Sequence, residues 1–195
     1  LNEGWLTRGG TRPANDRPSW HYQPHRFAKR GGAQMLVFDV DGDGDGDVVT
    51  ALDAHGWGLA WFENTRDETT GAISFRRHMI MGSREEESKY GVAFSQPHAL
   101  VAADIDGDNL TDVVVGKRHW AHGPNGDIEP NGPAVVYWFR LERTPDGARF
   151  HPHLVDNASG VGLQIAATDV NGDGTVDILT ASKLGTFLFV NQVKR

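Results

Sequence analysis

The residues with the clearest chemical potential are aspartates. Asp39, Asp41, Asp43, Asp45 and Asp47 alternate with small residues in segment 39–47. Segment 104–112 carries Asp104, Asp106, Asp108 and Asp112, and segment 169–177 carries Asp169, Asn171, Asp173, Thr175 and Asp177. Twelve of the 26 acidic residues fall in these segments, and the other 14 face 19 Lys and Arg. The net charge of -7 is therefore local, and three divalent cations would nearly cancel it. A hard cation such as calcium takes about six to eight oxygens at roughly 2.3–2.6 Å. Carboxylates at loop positions 1, 3 and 5 point inward when glycines between them let the chain coil at positive φ. A backbone carbonyl at position 7 and the carboxylate at position 9 complete the cage. Position 7 is Asp45, Leu110 or Thr175, so the Asp45 side chain is expected to face solvent. Asn109 stands where a glycine is expected, and Asn is the residue after glycine that best tolerates the left-handed region. Asn171 lowers the ligand charge of the third loop, which is expected to be the weakest site. An EF-hand is excluded. Its position 12 needs Glu, whereas here it is Thr50, Val115 or Thr180, and strand-like runs flank the loops.

The three loops start 65 residues apart, and then 65 again. A period of this size marks an array of supersecondary units. Short apolar runs repeat around each loop. Runs 34–40, 98–105 and 163–170 precede the loops, and runs 48–52, 113–115 and 178–181 follow them. A third run occupies 58–62, 134–139 and 185–190, and a fourth occupies 73–78 and 149–154. Trp20 to His25 resembles that fourth run. Val, Phe, Trp and Leu bounded by Gly, Asp, Asn and Pro is strand composition with turn punctuation. No window has a convincing helical period, so the chain is expected to be all-β.

Four antiparallel strands per repeat describe a propeller blade. The loop Asp-x-Asp-Gly-Asp-Gly-x-x-Asp between two strands, followed by Val-Val, resembles the FG-GAP (VCBS-type) repeat. Trp61-Phe62-Glu63-Asn64 and Phe189-Val190-Asn191-Gln192 fit it too. The resemblance implies an integrin-like β-propeller with calcium in the loop joining the first two strands of each blade. It implies three blades of about 65 residues over residues 20–195, with 1–19 a linker or the remnant of a preceding blade. It also implies about three Ca2+ per chain. Three blades fall short of the four to eight or so that usually close a ring. The third unit ends before its fourth strand, which Trp20 to Phe27 could supply if the ring closed on itself. The expected partner is therefore the rest of a longer propeller chain or a further copy completing a homo-oligomeric ring.

Histidines mark the opposite end. The loops join strands one and two at one end of each unit, so the start of strand one and the end of strand two lie at the other. That end is expected to gather His55, Trp57, His98, Lys117, Arg118, His119, Trp120, His122 and Lys183. The longest insertion, 116–132, lies there, and long ordered loops commonly carry function. Aromatics beside charges suit a carbohydrate or protein ligand. The alternative is a metal-dependent carbohydrate lyase, similar in architecture to the aldos-2-ulose dehydratase propellers, with His55, His98 and His119 sharing a Zn2+. The remaining histidines in the fourth runs, such as His78, His151 and His153, read as ordinary strand residues.

Composition narrows the rest. Local acidity opposes a nucleic-acid partner, and two isolated Arg-Gly-Gly triplets do not change that. The longest apolar run, 134–139, is too short to span a bilayer. The absence of cysteine excludes a disulfide scaffold and a thiolate metal site. Weak calcium loops stay filled where calcium is abundant, so an extracytoplasmic location, secreted or periplasmic, is expected. The sequence starts at Leu1 and is read as a mature or excised segment. No phosphate loop or nucleophile elbow is present.

Overall fold

The computed structural model describes residues 5–8, 20–23, 25–28 and 30–192. Three antiparallel meanders follow one another along the chain. The first contains β3 (Met35–Phe38), β4 (Asp47–Ala51), β5 (Leu59–Arg66) and β6 (Ile73–Met81). The second contains β7 (Pro97–Ala103), β8 (Asp112–Lys117), β9 (Val136–Thr144) and β10 (Gly147–Asp156). The third has β11 (Ile165–Thr168), β12 (Asp177–Ser182) and β13 (Gly185–Phe189). In each sheet the strands pair in chain order, so the acidic segments are the turns from first to second strand. A separate hairpin pairs β1 (Trp5–Arg8) with β2 (Trp20–Gln23).

The period-2 pattern decides how the sheets stack. Along β8, Val113 and Val115 enter a core with Val49, Leu59 and Trp61 of the first sheet. Val114 points the other way, into a core with Ile165 and Ile178 of the third. β9 divides likewise, with Phe139 and Leu141 toward the first sheet and Val136 toward the third. The second sheet is therefore covered on both faces, and β8 is buried along its whole length. Full burial of a side chain such as Leu100 or Phe139 contributes about 2 kcal/mol. β7 lies beside both β3 and β11, so first strands neighbour first strands. The Gln34 side chain spans one such boundary, accepting the Leu100 N–H at 3.0 Å.

The outer faces differ. On the first sheet, Val48, Ala60 and Phe62 are covered by Phe27, Phe75 and Met79. The outer side of the third sheet leaves Leu188 and Val190 about half exposed. Among the described residues, helix is limited to a 3-10 turn (Arg84–Glu86) and α1 (Glu87–Tyr90), which ends at Gly91 with φ 76°. One turn is too short to write a helical period into the sequence.

One expectation changes. Trp20 to Phe27 does not supply a fourth strand to the third sheet: β2 pairs with β1, and Phe27 packs edge-on against Phe62 and Phe75 of the first sheet. The ring cluster offers burial that an isolated edge pairing with β13 would not. Segment 1–19, read as linker or remnant, contains the strand β1.

Candidate functional site

Each acidic loop is built the same way. The position-1 carboxylate accepts the backbone N–H of position 4: Asp39 from Gly42 at 2.6 Å, Asp104 from Gly107 at 2.7 Å, Asp169 from Gly172 at 2.6 Å. Positive φ at positions 4 and 6 makes this coil possible, with Gly42 and Gly44 at 93° and 92°. Asn109 fills that role in the second loop with φ 67°. The coil draws Asp39, Asp41 and Asp43 together, and likewise Asp104, Asp106 and Asp108, with one oxygen from each within 4.8 Å of the others.

The position-9 aspartates are fully buried and act as staples. Asp47 accepts the N–H of Val40 and of Asn64, each at 2.8 Å. Asp112 does the same with Ile105 at 3.1 Å and Leu141 at 2.8 Å, and Asp177 with Val170 at 2.9 Å and Asn191 at 2.8 Å. Each staple ties its loop to the end of the third strand of its own sheet. Burial pushes the Asp112 carboxyl up to about 6 despite the opposing N–H bonds of Leu141 and Ile105. Asp47 is raised for the same reason, with the charges of Asp41 and Asp45 adding to it.

The loops differ in what balances their charge. In the second, Arg140 donates Nε to Asp106 at 2.6 Å and Nη2 to Asp108 at 2.8 Å. In the third, the Asn171 amide donates to Asp173 at 2.8 Å, and the Thr175 hydroxyl donates to Asp173 Oδ1 at 2.5 Å. Asp39, Asp41 and Asp43 receive no such side-chain donor from their own loop, although Arg143 reaches Asp39 Oδ1 at 3.6 Å from the second sheet. Asp45, expected to face solvent, instead keeps Oδ1 shielded from water and without a hydrogen bond. Burial, then the charges of Asp43, Asp41 and Asp39, push its carboxyl up. Neighbouring sheets roof these loops: Arg143 donates to the Val40 and Asp39 carbonyls, and Asn191 to the Ile105 carbonyl.

An all-oxygen donor set fits calcium, and fits softer metals poorly. Asp39, Asp41, Asp43 and the Asp45 carbonyl would hold it in the first loop, with Asp47 contributing a remaining lone pair. The other loops offer the equivalent residues.

The opposite end holds the histidines, in a different grouping from the expected trio. His55 stacks on His122 with ring centroids 4.6 Å apart, and the His98 ring lies 6.3 Å from that of His55. Asp127, which the sequence did not single out, anchors this group: its carboxylate lies 3.0 Å from His122 Nδ1 and 3.4 Å from His55 Nδ1. Its only sequence signal is a place five residues after His122 in the insertion. His98 is not free to bind a metal through Nε2, which meets Arg118 Nη1 at 3.0 Å. Burial, then the charges of Arg118 and His55, lower its pKa to about 4, so it is neutral at pH 7. His119 leaves the trio too, stacking on Trp120 at 4.6 Å. Burial and the charges of Lys117 and Lys183 depress its pKa.

Lys117 lies beneath this face rather than on it, only 1% exposed. Its Nζ donates to Ser95 Oγ at 2.6 Å, and burial lowers its pKa to about 8. Ser95 and the Gln96 amide both donate to the Ile128 carbonyl, at 2.8 and 3.0 Å. The buried lysine thus buttresses the insertion next to Asp127. Lys183 likewise holds the Trp120 carbonyl, and Arg84 lies over the Trp57 ring at 5.3 Å. The fourth-strand histidines repeat one cross-strand device, His78 stacked on Trp61 at 4.3 Å and His153 on Trp138 at 4.6 Å.

No model of a known protein family matches the chain, and no curated protein matches it.

Proposed function

We propose that this chain is a calcium-stabilised segment of an FG-GAP-type β-propeller, serving as an extracytoplasmic binding or scaffolding module for a carbohydrate or protein ligand. The observation that carries the reading is the acidic coil repeated three times in register, with carboxylates converging in the first and second loops. Calcium supplies charge neutralisation there and clamps the turn between the first and second strands. The reading of the sheets as blades draws support from their face-to-face stacking and from the adjacency of β3, β7 and β11, which suits first strands lining a common axis. Half-exposed Leu188 and Val190 on the last sheet suit a further blade, from a longer chain or a second copy. The ligand surface is the end opposite the loops, where Trp57, Trp120, Arg118 and His122 are partly or fully accessible.

Calorimetric titration of chelator-stripped protein tests the reading. About three calcium ions per chain and a higher melting temperature are expected. Failure to bind calcium at millimolar concentration would remove the basis for it. A glycan and protein-ligand screen of the calcium-loaded form, with Trp57→Ala and Trp120→Ala as controls, tests the binding surface.

A further inference from the structure

The carboxylate loops do not account for the group at the other end of the molecule. His55, His122 and Asp127 each bring one ligand atom within 4.8 Å of the others. Two imidazoles and a carboxylate form a nitrogen-rich set, which suits zinc and neighbouring late first-row ions rather than calcium or magnesium. The spacing also fits. Ligands at about 2.1 Å from a tetrahedral ion stand about 3.4 Å from one another. His55 Nδ1 and Asp127 Oδ1 are 3.4 Å apart, and His122 Nδ1 lies 3.0 Å from the same carboxylate.

His55 Nδ1 supplies an independent observation. It is shielded from water and faces the Asp127 carboxylate at 3.4 Å, longer than a good hydrogen bond, so an ion between the two would replace a weak contact with two bonds. Asp127 is held for such a task. Its side chain is 11% exposed, and its backbone is at φ 61°. Asp tolerates that conformation better than most residues, and Ser95 and Gln96 help to hold it by fixing the next carbonyl, Ile128, with Lys117 behind them. The His122 side chain is 64% exposed, so its ring can turn from the stack to aim Nδ1 at an ion.

We propose that His55, His122 and Asp127 form a zinc-type metal site with three protein ligands and a fourth position open to an oxygen ligand from solution. The His55 and His122 side chains, 40% and 64% exposed, leave that position accessible. Water, a sugar hydroxyl or a carbonyl oxygen has the chemistry to fill it. His98 turns its Nε2 to Arg118 and lies beside the site, outside the group of converging ligand atoms.

The test uses the full chain saturated with calcium, so that zinc is not drawn to the carboxylate loops. Zinc is titrated calorimetrically against a competing chelator, and cobalt(II) serves as the spectroscopic probe of imidazole ligation. One zinc per chain is expected, with an imidazole-type cobalt absorption spectrum. His122→Ala removes an exposed ring and leaves the core alone, and Asp127→Asn keeps the side-chain volume. Each should weaken zinc by at least about 10–100-fold, the loss seen when even outer-shell partners are changed. His151→Ala, on the edge strand β10, should bind zinc like the parent. Absence of stoichiometric binding would overturn the proposal, as would folded His122→Ala and Asp127→Asn proteins with parental affinity. Calcium stoichiometry is read separately, so the outcome for zinc does not depend on that for the loops.

Discussion

Arg140→Gln should strengthen calcium binding while weakening the calcium-free protein. The guanidinium holds Asp106 and Asp108 at 2.6 and 2.8 Å, two of the carboxylates a cation in the second loop would use. An ion sharing those oxygens would stand roughly 5 Å from the guanidinium. A divalent and a univalent positive charge at that distance repel by about 1.7 kcal/mol at the dielectric constant of water, and about 7 kcal/mol at an effective value of 20. Even the smaller figure is more than tenfold in affinity. Without calcium the sign reverses. The substitution removes two ion pairs of a side chain that is 35% exposed, together worth about 1 kcal/mol. For a chain of this size that lowers the melting temperature by roughly 2–4 °C. The assay is a chelator-competed calcium titration of both proteins, with thermal melts in chelator. One calcium site should tighten at least about tenfold while the others stay fixed. If every site kept its affinity, or the second loop bound calcium more weakly, Arg140 would be organising the loop rather than competing for it, and the electrostatic reasoning would fail.

Further outcomes follow from the same coordinates. Calcium at a hundred times its dissociation constant stabilises by about 2.7 kcal/mol per site, so stripping the ions should lower the melting temperature by at least about 5 °C; an unchanged melt in excess chelator would refute the calcium clamp. Asp112→Ala leaves the buried N–H groups of Ile105 and Leu141 without their acceptor and should destabilise by about 2–4 kcal/mol in denaturant titrations. A loss under about 0.5 kcal/mol would mean the staple is not needed. His98 resists protonation in the folded state, so the stability it contributes is complete above pH 6.5 and falls as pH drops toward 4, by up to about 3 kcal/mol. An NMR titration should place its midpoint near 4, and a value near 6.5 would contradict the burial argument.

Much of the strand layout was readable in the chain. The loops fix two strand ends per unit, because only Gly or Asn between alternating carboxylates permits the coil that turns one strand into the next. The runs 48–52, 113–115 and 178–181 became β4, β8 and β12 within a residue or two. The unbroken apolar run Val113–Val115 is what a strand buried on both faces needs, and the structure covers it on both. The clustering of the loop carboxylates in the first two loops was legible for the same reason: positions 1, 3 and 5 are local, and a coil of nine residues brings them together whatever surrounds it.

What tertiary structure decided is everything that depends on contacts between distant segments. Arg140 meets Asp106 and Asp108 from a strand more than thirty residues away, so no spacing rule could name it as the second loop's counter-charge. Asp45 stays partly exposed, but its Oδ1 is shielded from water, which its position in the motif does not foretell. The histidine end gathers as strand direction requires, but its membership is set by the path of the insertion. That path brings Asp127 and His122 to His55, gives His98 to Arg118, and sinks Lys117 beneath Ser95. Local sequence encodes a coil or a strand because its energetics are short-ranged. A cluster assembled from two separate loops depends on how the chain folds them together, which only the tertiary structure determines.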